Sequence, residues 1–183
     1  MPLAKQMRAY VAALAALAAL PAAAGAAPPP PRHSGGESAL MQALLHSRVL
    51  WATIDVCSPA DQPNYVGVRG SMPGDKHPRD KMYMRFRLQY MDTAKSRWVD
   101  LASARSPNFV YVGPGSTVRQ GGRSFQLVPR PGRPAVSMRG VVEYQWRRGR
   151  TVMQSTSRPT SAGHKSIAGA DPPGFSSATC LIG

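Results

Sequence analysis

KMYMRFRLQYM, residues 81–91, alternates apolar and polar side chains with a period of two. Met82, Met84, Phe86, Leu88 and Tyr90 share one parity, and Lys81, Tyr83, Arg85, Arg87 and Gln89 share the other. Successive side chains of a strand point to opposite faces, so the stretch predicts a long strand with one buried layer and one wet, basic layer. AVSMRGVVEYQW, residues 135–146, repeats the pattern, with Val136, Met138, Val142, Tyr144 and Trp146 set against Ser137, Arg139, Glu143 and Gln145.

Around these two segments the period stays near two. RVLWATIDVC, from Arg48, puts Leu50, Ala52, Ile54 and Val56 on one face. YVGVRGSM from Tyr65, RWVDLAS from Arg97, NFVYVG from Asn108, TVMQSTS from Thr151 and TCLI from Thr179 are shorter strand candidates. In VRQGGRSFQL the pair Gly121-Gly122 predicts a tight hairpin, because glycine enters positive φ without steric cost. RRGR, residues 147–150, predicts the turn that follows Trp146, and residues 156–176 form a loose Ser-, Pro- and Gly-rich segment.

Seven to nine short strands without long intervening helices predict an all-β, antiparallel two-layer sandwich over residues 48–183, a small closed barrel being the alternative. Residues 37–46, ESALMQALLH, bring Leu40 to Leu44 and Met41 to Leu45 at helical spacing and predict a short helix packed on the domain. Residues 27–36, APPPPRHSGG, are a Pro/Gly-rich linker.

The first 26 residues predict an export signal: Lys5 and Arg8 precede an apolar run from Tyr10 to Leu20, then Pro21 and small residues up to Ala26. An uncleaved N-terminal membrane anchor is the alternative. Cleavage lowers the net charge from +14 to +12 and leaves 157 of the 183 residues, enough for one domain. The later apolar stretch from Ala39 to Val56 is interrupted by His46, Arg48 and Asp55, so no second span is expected. The predicted location is therefore secreted or in the cell envelope. Cys57 and Cys180 are the two cysteines, and an even number in an exported chain predicts one disulfide.

The long strand 81–91 and the VVEYQWRRG hairpin together resemble the paired central strands of immunoglobulin-like or fibronectin type III-like sandwiches in exported bacterial proteins. The resemblance implies a fold and carries no activity with it. The chain departs from antibody-type domains in its cysteines, which lie near the first and last strands and suggest an edge or terminal staple.

Catalytic signals are sparse. Glu37 and Glu143 are the two glutamates, and the chain has no HExxH, GxSxG, Walker loop, GxGxxG or CxxC. Asp75, His77 and Asp80 in GDKHPRD could in principle hold a divalent ion, but Lys76, Arg79 and Lys81 interleave with them. That interleaving favours a charged, hydrated turn, with no metal and no cofactor. A small hydrolase with a loop-built site, drawing on Asp75, His77, Asp80 and His164, is the enzymatic alternative.

The basic excess has more content, since 18 of the 23 basic residues are arginine. Arg85, Arg87, Arg139, Arg147 and Arg148 lie on the polar parity or turn of the two clearest strands. If those strands pair, their arginines form a stripe able to hold anions through forked hydrogen bonds. The expected partner is an anionic cell-wall polymer, polysaccharide or membrane surface. No specific nucleic-acid role follows, because Tyr83 and Tyr90 fall on opposite parities and cannot share a stacking platform. Trp51 shares parity with Thr53 and Asp55, which makes it the candidate for stacking on a sugar ring, as in a carbohydrate-binding module; packing beneath the N-terminal helix is its expected use otherwise. The chain reads as an exported binding or scaffolding module.

Overall fold

The computed structural model describes residues 35–129 and 131–183. The expected signal peptide, residues 1–26, and the linker up to residue 34 lie outside the described residues. One helix, α1 (Gly35–Leu45), precedes nine strands: β1 (Trp51–Cys57), β2 (Tyr65–Met72), β3 (Lys81–Asp92), β4 (Arg97–Arg105), β5 (Val110–Pro114), β6 (Arg119–Gln126), β7 (Val136–Arg148), β8 (Thr151–Pro159) and β9 (Cys180–Ile182). The helix starts two residues before its predicted first turn, so Gly35 and Gly36 belong to it rather than to the linker.

The strands form two antiparallel sheets. One has the order β1-β2-β6; the other runs β4-β3-β7-β8, with β5 also paired to β3 and β9 to β7. Both are open, which excludes the closed barrel and leaves the two-layer sandwich. Between the layers lie the apolar parities of the two long strands: Met82, Met84, Phe86 and Leu88 from β3, and Met138, Val142, Tyr144 and Trp146 from β7, are all buried. Their partners from the smaller sheet include Ala52, Ile54, Val66, Val68 and Met72, and α1 adds Met41 and Leu44. A buried indole or phenol needs a hydrogen-bond partner. Trp146 Nε1 donates to the Pro73 carbonyl at 2.8 Å, and Tyr144 Oη donates to the Trp51 carbonyl at 2.6 Å.

Gly121-Gly122 is not a hairpin. Both residues sit inside the continuous strand β6, opposite Gly70 and Arg69 of β2. Close approach explains them instead of turning: a Cβ on Gly121 would lie 2.9 Å from Val112 and 3.2 Å from Met84 Sδ, and one on Gly122 would lie 2.9 Å from the Arg69 guanidinium carbon. The hairpin turn after β7 is where it was expected, at Gly149-Arg150, with Gly149 at φ +58°.

β1 departs from simple alternation. Thr53 and Asp55, on its polar parity, are as buried as Ala52 and Ile54. Residues 160–179 run across this face as a strap. Thr53 Oγ1 lies 2.8 Å from Ser176 Oγ, Ile54 N donates to the Ser177 carbonyl at 2.9 Å, and Asp171 N donates to the Asp55 carbonyl at 2.9 Å. The strap also covers the edge of the smaller sheet, where unpaired backbone groups would otherwise be open to another chain. Loose composition thus conceals an ordered role, and β8 takes residues 156–159 out of the segment read as loose.

Cys57 and Cys180 are disulfide-bonded, with Cα atoms 5.5 Å apart. The bond joins β1 of one sheet to β9 of the other, so the terminal staple is also an inter-sheet one. Disulfides persist in oxidising, extracytoplasmic surroundings, and this one sets the domain in such a compartment. No helix among the described residues is long and apolar enough to cross a membrane.

Candidate functional site

β3 and β7 are neighbours over ten residue pairs, from Lys81↔Arg147 to Tyr90↔Met138. Their outward parities therefore make one surface, on which Arg85 faces Glu143 and Gln89 faces Arg139. The adjacency on which the arginine stripe depends is present for Arg85, Arg87, Arg139 and Arg147. Arg148 is not part of it. It turns to the sheet's end, where Nε and Nη2 donate to Asp80 Oδ1 and Oδ2 at 2.9 and 2.8 Å and Nη1 donates to Glu37 at 2.6 Å, tying α1 to the β2–β3 loop. These two carboxylates raise the proton affinity of Arg148.

The four stripe arginines are not equivalent. Arg85 is ion-paired to Glu143, and Arg87 bridges Glu143 at 2.5 Å and Asp100 at 3.0 Å. Burial acts to raise the Asp100 carboxyl, but hydrogen bonds from Gln89 and Arg87 outweigh it and hold the group below its ordinary range. Arg139 and Arg147, at the two ends of the stripe, have no carboxylate partner among the described residues. Arg139 Nε donates to Gln89 Oε1 at 2.8 Å, and Arg147 Nε donates to Gln145 Oε1 at 2.8 Å. Partial burial, then the neighbouring Arg87, lowers the proton affinity of Arg139 against the opposing pull of Asp100.

Aromatic rings interleave with these cations. Arg139 lies 4.5 Å over the Trp98 ring, Arg147 4.3 Å over Tyr83, and Arg85 4.6 Å over Phe109, while Tyr83 and Tyr111 lie 5.6 Å apart. An arginine over an aromatic face is attracted by the ring quadrupole, which holds its fork in place. Judging the rings by Tyr83 and Tyr90 alone missed this surface. Its other members come from β4, β5 and the residue before β5, and the available signal was the aromatic content of RWVDLAS and NFVYVG. A shallow cavity of about 290 Å³ lies beside Phe109, lined by Arg87, Glu143, Gln145, Ser155 and Ser157. A second, mostly apolar cavity of about 580 Å³ lies elsewhere, among Tyr90, Leu101, Leu127, Val136, Met138 and Ile182.

Trp51 faces outward from β1 but stacks on His164 of the strap, with centroids 4.5 Å apart and planes 14° from parallel. One ring face is thus occupied, by the strap and not by the expected helix. His164 also contacts Ser161 Oγ at 2.9 Å, and burial lowers its proton affinity.

Asp75, His77 and Asp80 do come together, and His164 is not with them: their ligating atoms lie within 4.8 Å of one another. The turn is open to solvent at Lys76, His77, Pro78 and Arg79, as expected, but not at its two carboxylates. Asp75 is 0% and Asp80 1% exposed, because the loop is hydrogen-bonded to the β5–β6 turn through Lys76 N to the Gly115 carbonyl and Gly115 N to the Asp80 carbonyl. Burial raises the Asp75 carboxyl above its ordinary 3.8, whereas the Arg148 hydrogen bonds lower that of Asp80.

These shifts have opposite signs for stability. Asp80 stabilises fully above its unfolded value near 3.8 and loses that contribution as pH falls through its depressed folded value. Asp75 keeps a proton that the unfolded chain releases, so its contribution declines as pH rises from about 4 through the raised value. In chelator-containing buffer, Asp75→Asn is therefore expected to match the wild type below pH ~4 and to be the more stable at pH 7. Urea unfolding at the two pH values measures the difference.

No protein-family model matches this chain, and no curated protein matches it. A solved structure, the Pseudomonas fluorescens alkylpurine DNA glycosylase AlkC bound to DNA containing an abasic site analog, is similar over 68% of this chain and 34% of its own, with 13% identity and a TM-score of 0.32. The chain spans about a third of that enzyme's length, and a likeness of this degree carries no argument.

Proposed function

We propose that the domain is an exported binding module that engages an anionic polymer of the cell envelope along the outer face of β3 and β7. The observation that carries this reading is the placing of Arg139 and Arg147, neither in an ion pair with a carboxylate among the described residues, at opposite ends of one strand. Eight residues of strand separate them by ~27 Å. A small anion could meet only one of them, whereas an extended chain with repeated charges meets both. Between them the stripe is locally neutralised by Glu143 and Asp100, and the half-buried rings of Tyr83, Phe109 and Trp98, each with an arginine over it, add apolar surface. Polysaccharides that carry acidic groups present both kinds of surface.

The net charge of +12 that remains without residues 1–26 supports long-range attraction to such a polymer. Residues 1–26 act as a cleaved export signal on this reading, and the domain is related in fold to the immunoglobulin-like or fibronectin type III-like sandwiches of exported bacterial proteins.

Retention on a carboxylated polysaccharide matrix, with elution by a sodium chloride gradient, tests the proposal. Charge-assisted hydrogen bonds contribute ~1.5–3 kcal/mol each, so Arg139→Gln or Arg147→Gln is expected to weaken binding about tenfold or more and to advance elution. Arg123→Gln removes the same charge from β6 of the other sheet and is expected to change little. Equal losses from all three variants would reduce the effect to bulk charge and defeat the proposal. Equal retention on anionic lipid vesicles, with no polymer preference, would point to a membrane surface instead.

A further inference from the structure

We infer that Asp75, His77 and Asp80 form a binding site for a divalent first-row transition ion, with zinc as the representative. The cluster is more than three ligand-type residues in one loop. Asp75 is fully buried, yet its Oδ2 has no hydrogen-bond partner, while Oδ1 accepts from His77 N at 2.9 Å. A buried carboxylate oxygen without a partner calls for a proton, a water or a cation. Asp75 is also the buried acid with no arginine or lysine partner among the described residues, since Asp55 is paired to Arg69 and Asp80 to Arg148. Its neighbours supply the rest of a ligand set.

Two carboxylates and one imidazole suit zinc or manganese better than calcium or magnesium, which favour all-oxygen shells. Arg148 does not remove Asp80 from this set. Its two main contacts occupy one lone-pair direction on each oxygen, and a carboxylate has about four. The guanidinium then orients a ligand, as hydrogen-bonding partners of metal-bound carboxylates do. The His77 side chain is 47% exposed and gives an ion a route in from solvent. Arg148 is shared by Glu37 and Asp80, while buried Asp75 has no basic partner among the described residues. Lys76, Arg79 and Lys81, whose repulsion counted against an ion, are exposed to solvent, whereas the two carboxylates are buried.

The test is titration of zinc chloride into the full chain, without an affinity tag, in competition with a chromophoric chelator and with the melting temperature followed in parallel. One zinc ion per chain is expected, with a melting temperature that rises with zinc concentration. His77→Ala and Asp75→Asn are each expected to weaken binding by about tenfold or more, and calcium or magnesium at equal concentration to give no shift. Asparagine keeps the size of the side chain and carries no charge, so Asp75→Asn stays folded if Asp75 serves only as a neutral group. Wild-type protein that binds no zinc, or binding that survives both substitutions, overturns the inference. A calcium response equal to that of zinc also overturns it, because the imidazole would then have no part.

Discussion

Replacing Cys57 and Cys180 together by serine is expected to lower the unfolding free energy by about 2–5 kcal/mol. The bond closes a separation of 123 residues, for which chain entropy alone gives ~5 kcal/mol as an upper figure. The structure adds a second route for the loss. β9 is only three residues long and pairs with β7 alone, so without the bond it keeps little hold on β1. The strap that precedes it then loosens over Thr53 and Asp55. Guanidinium unfolding of oxidised wild type and the double variant measures the loss. Hydrogen exchange should show the earliest exposure at the Ile54 and Asp171 amides. An unchanged midpoint would mean that the strap and β9 hold without the staple.

Arg69→Ala is expected to cost about 3–5 kcal/mol, close to the loss of the disulfide. Arg69 Nε donates to Asp55 Oδ2 at 2.9 Å, and Asp55 is only 3% exposed. Burial already raises the Asp55 carboxyl against the opposing pull of Arg69, so truncation leaves a desolvated carboxyl with no compensating cation. The guanidinium is also a spacer: added Cβ atoms on Gly122 of β6 and Gly169 of the strap would each come within 3 Å of it. Asp55→Asn combined with Arg69→Met tests the two roles together. It removes both charges while keeping bulk, and is expected to recover much of the loss. If the double variant is no better than Arg69→Ala, neither the unpaired carboxyl nor the lost bulk accounts for the cost, and this explanation fails. Urea midpoints at pH 7 supply the comparison.

The two long strands were legible because each carries its own complete pattern. Five apolar residues on one parity of β3 suffice to identify a buried layer, and the partner β7 repeats the same code. What could not be read depends on residues distant in sequence. The face of β1 that carries Thr53 and Asp55 resembles a solvent face, and only a strap from more than a hundred residues later buries it. Gly121-Gly122 carries the letters of a turn, yet it answers to Val112 on the preceding strand and to the distant Met84 and Arg69. The site followed the same division. Alternation placed Arg85, Arg87, Arg139 and Arg147 on the polar parity of their strands, but their adjacency and the neutralisation of Arg85 and Arg87 by Glu143 and Asp100 required strand register. Asp75 and Asp80 read as wet because charged neighbours are usually solvated; backbone hydrogen bonds to Gly115 withdraw them from water.

The strap has a consequence for how the molecule comes into being. A nascent chain that has reached residue 150 already contains β1 to β7, but Thr53 and Asp55 lack their cover and Cys57 lacks its partner. Pairings across such sequence distances form late, and sandwiches dominated by them fold in milliseconds to seconds, as an order of magnitude. The first strand is thus completed by segments synthesised after nearly everything else. Until they arrive, its exposed edge is a surface to which other unfolded chains can add.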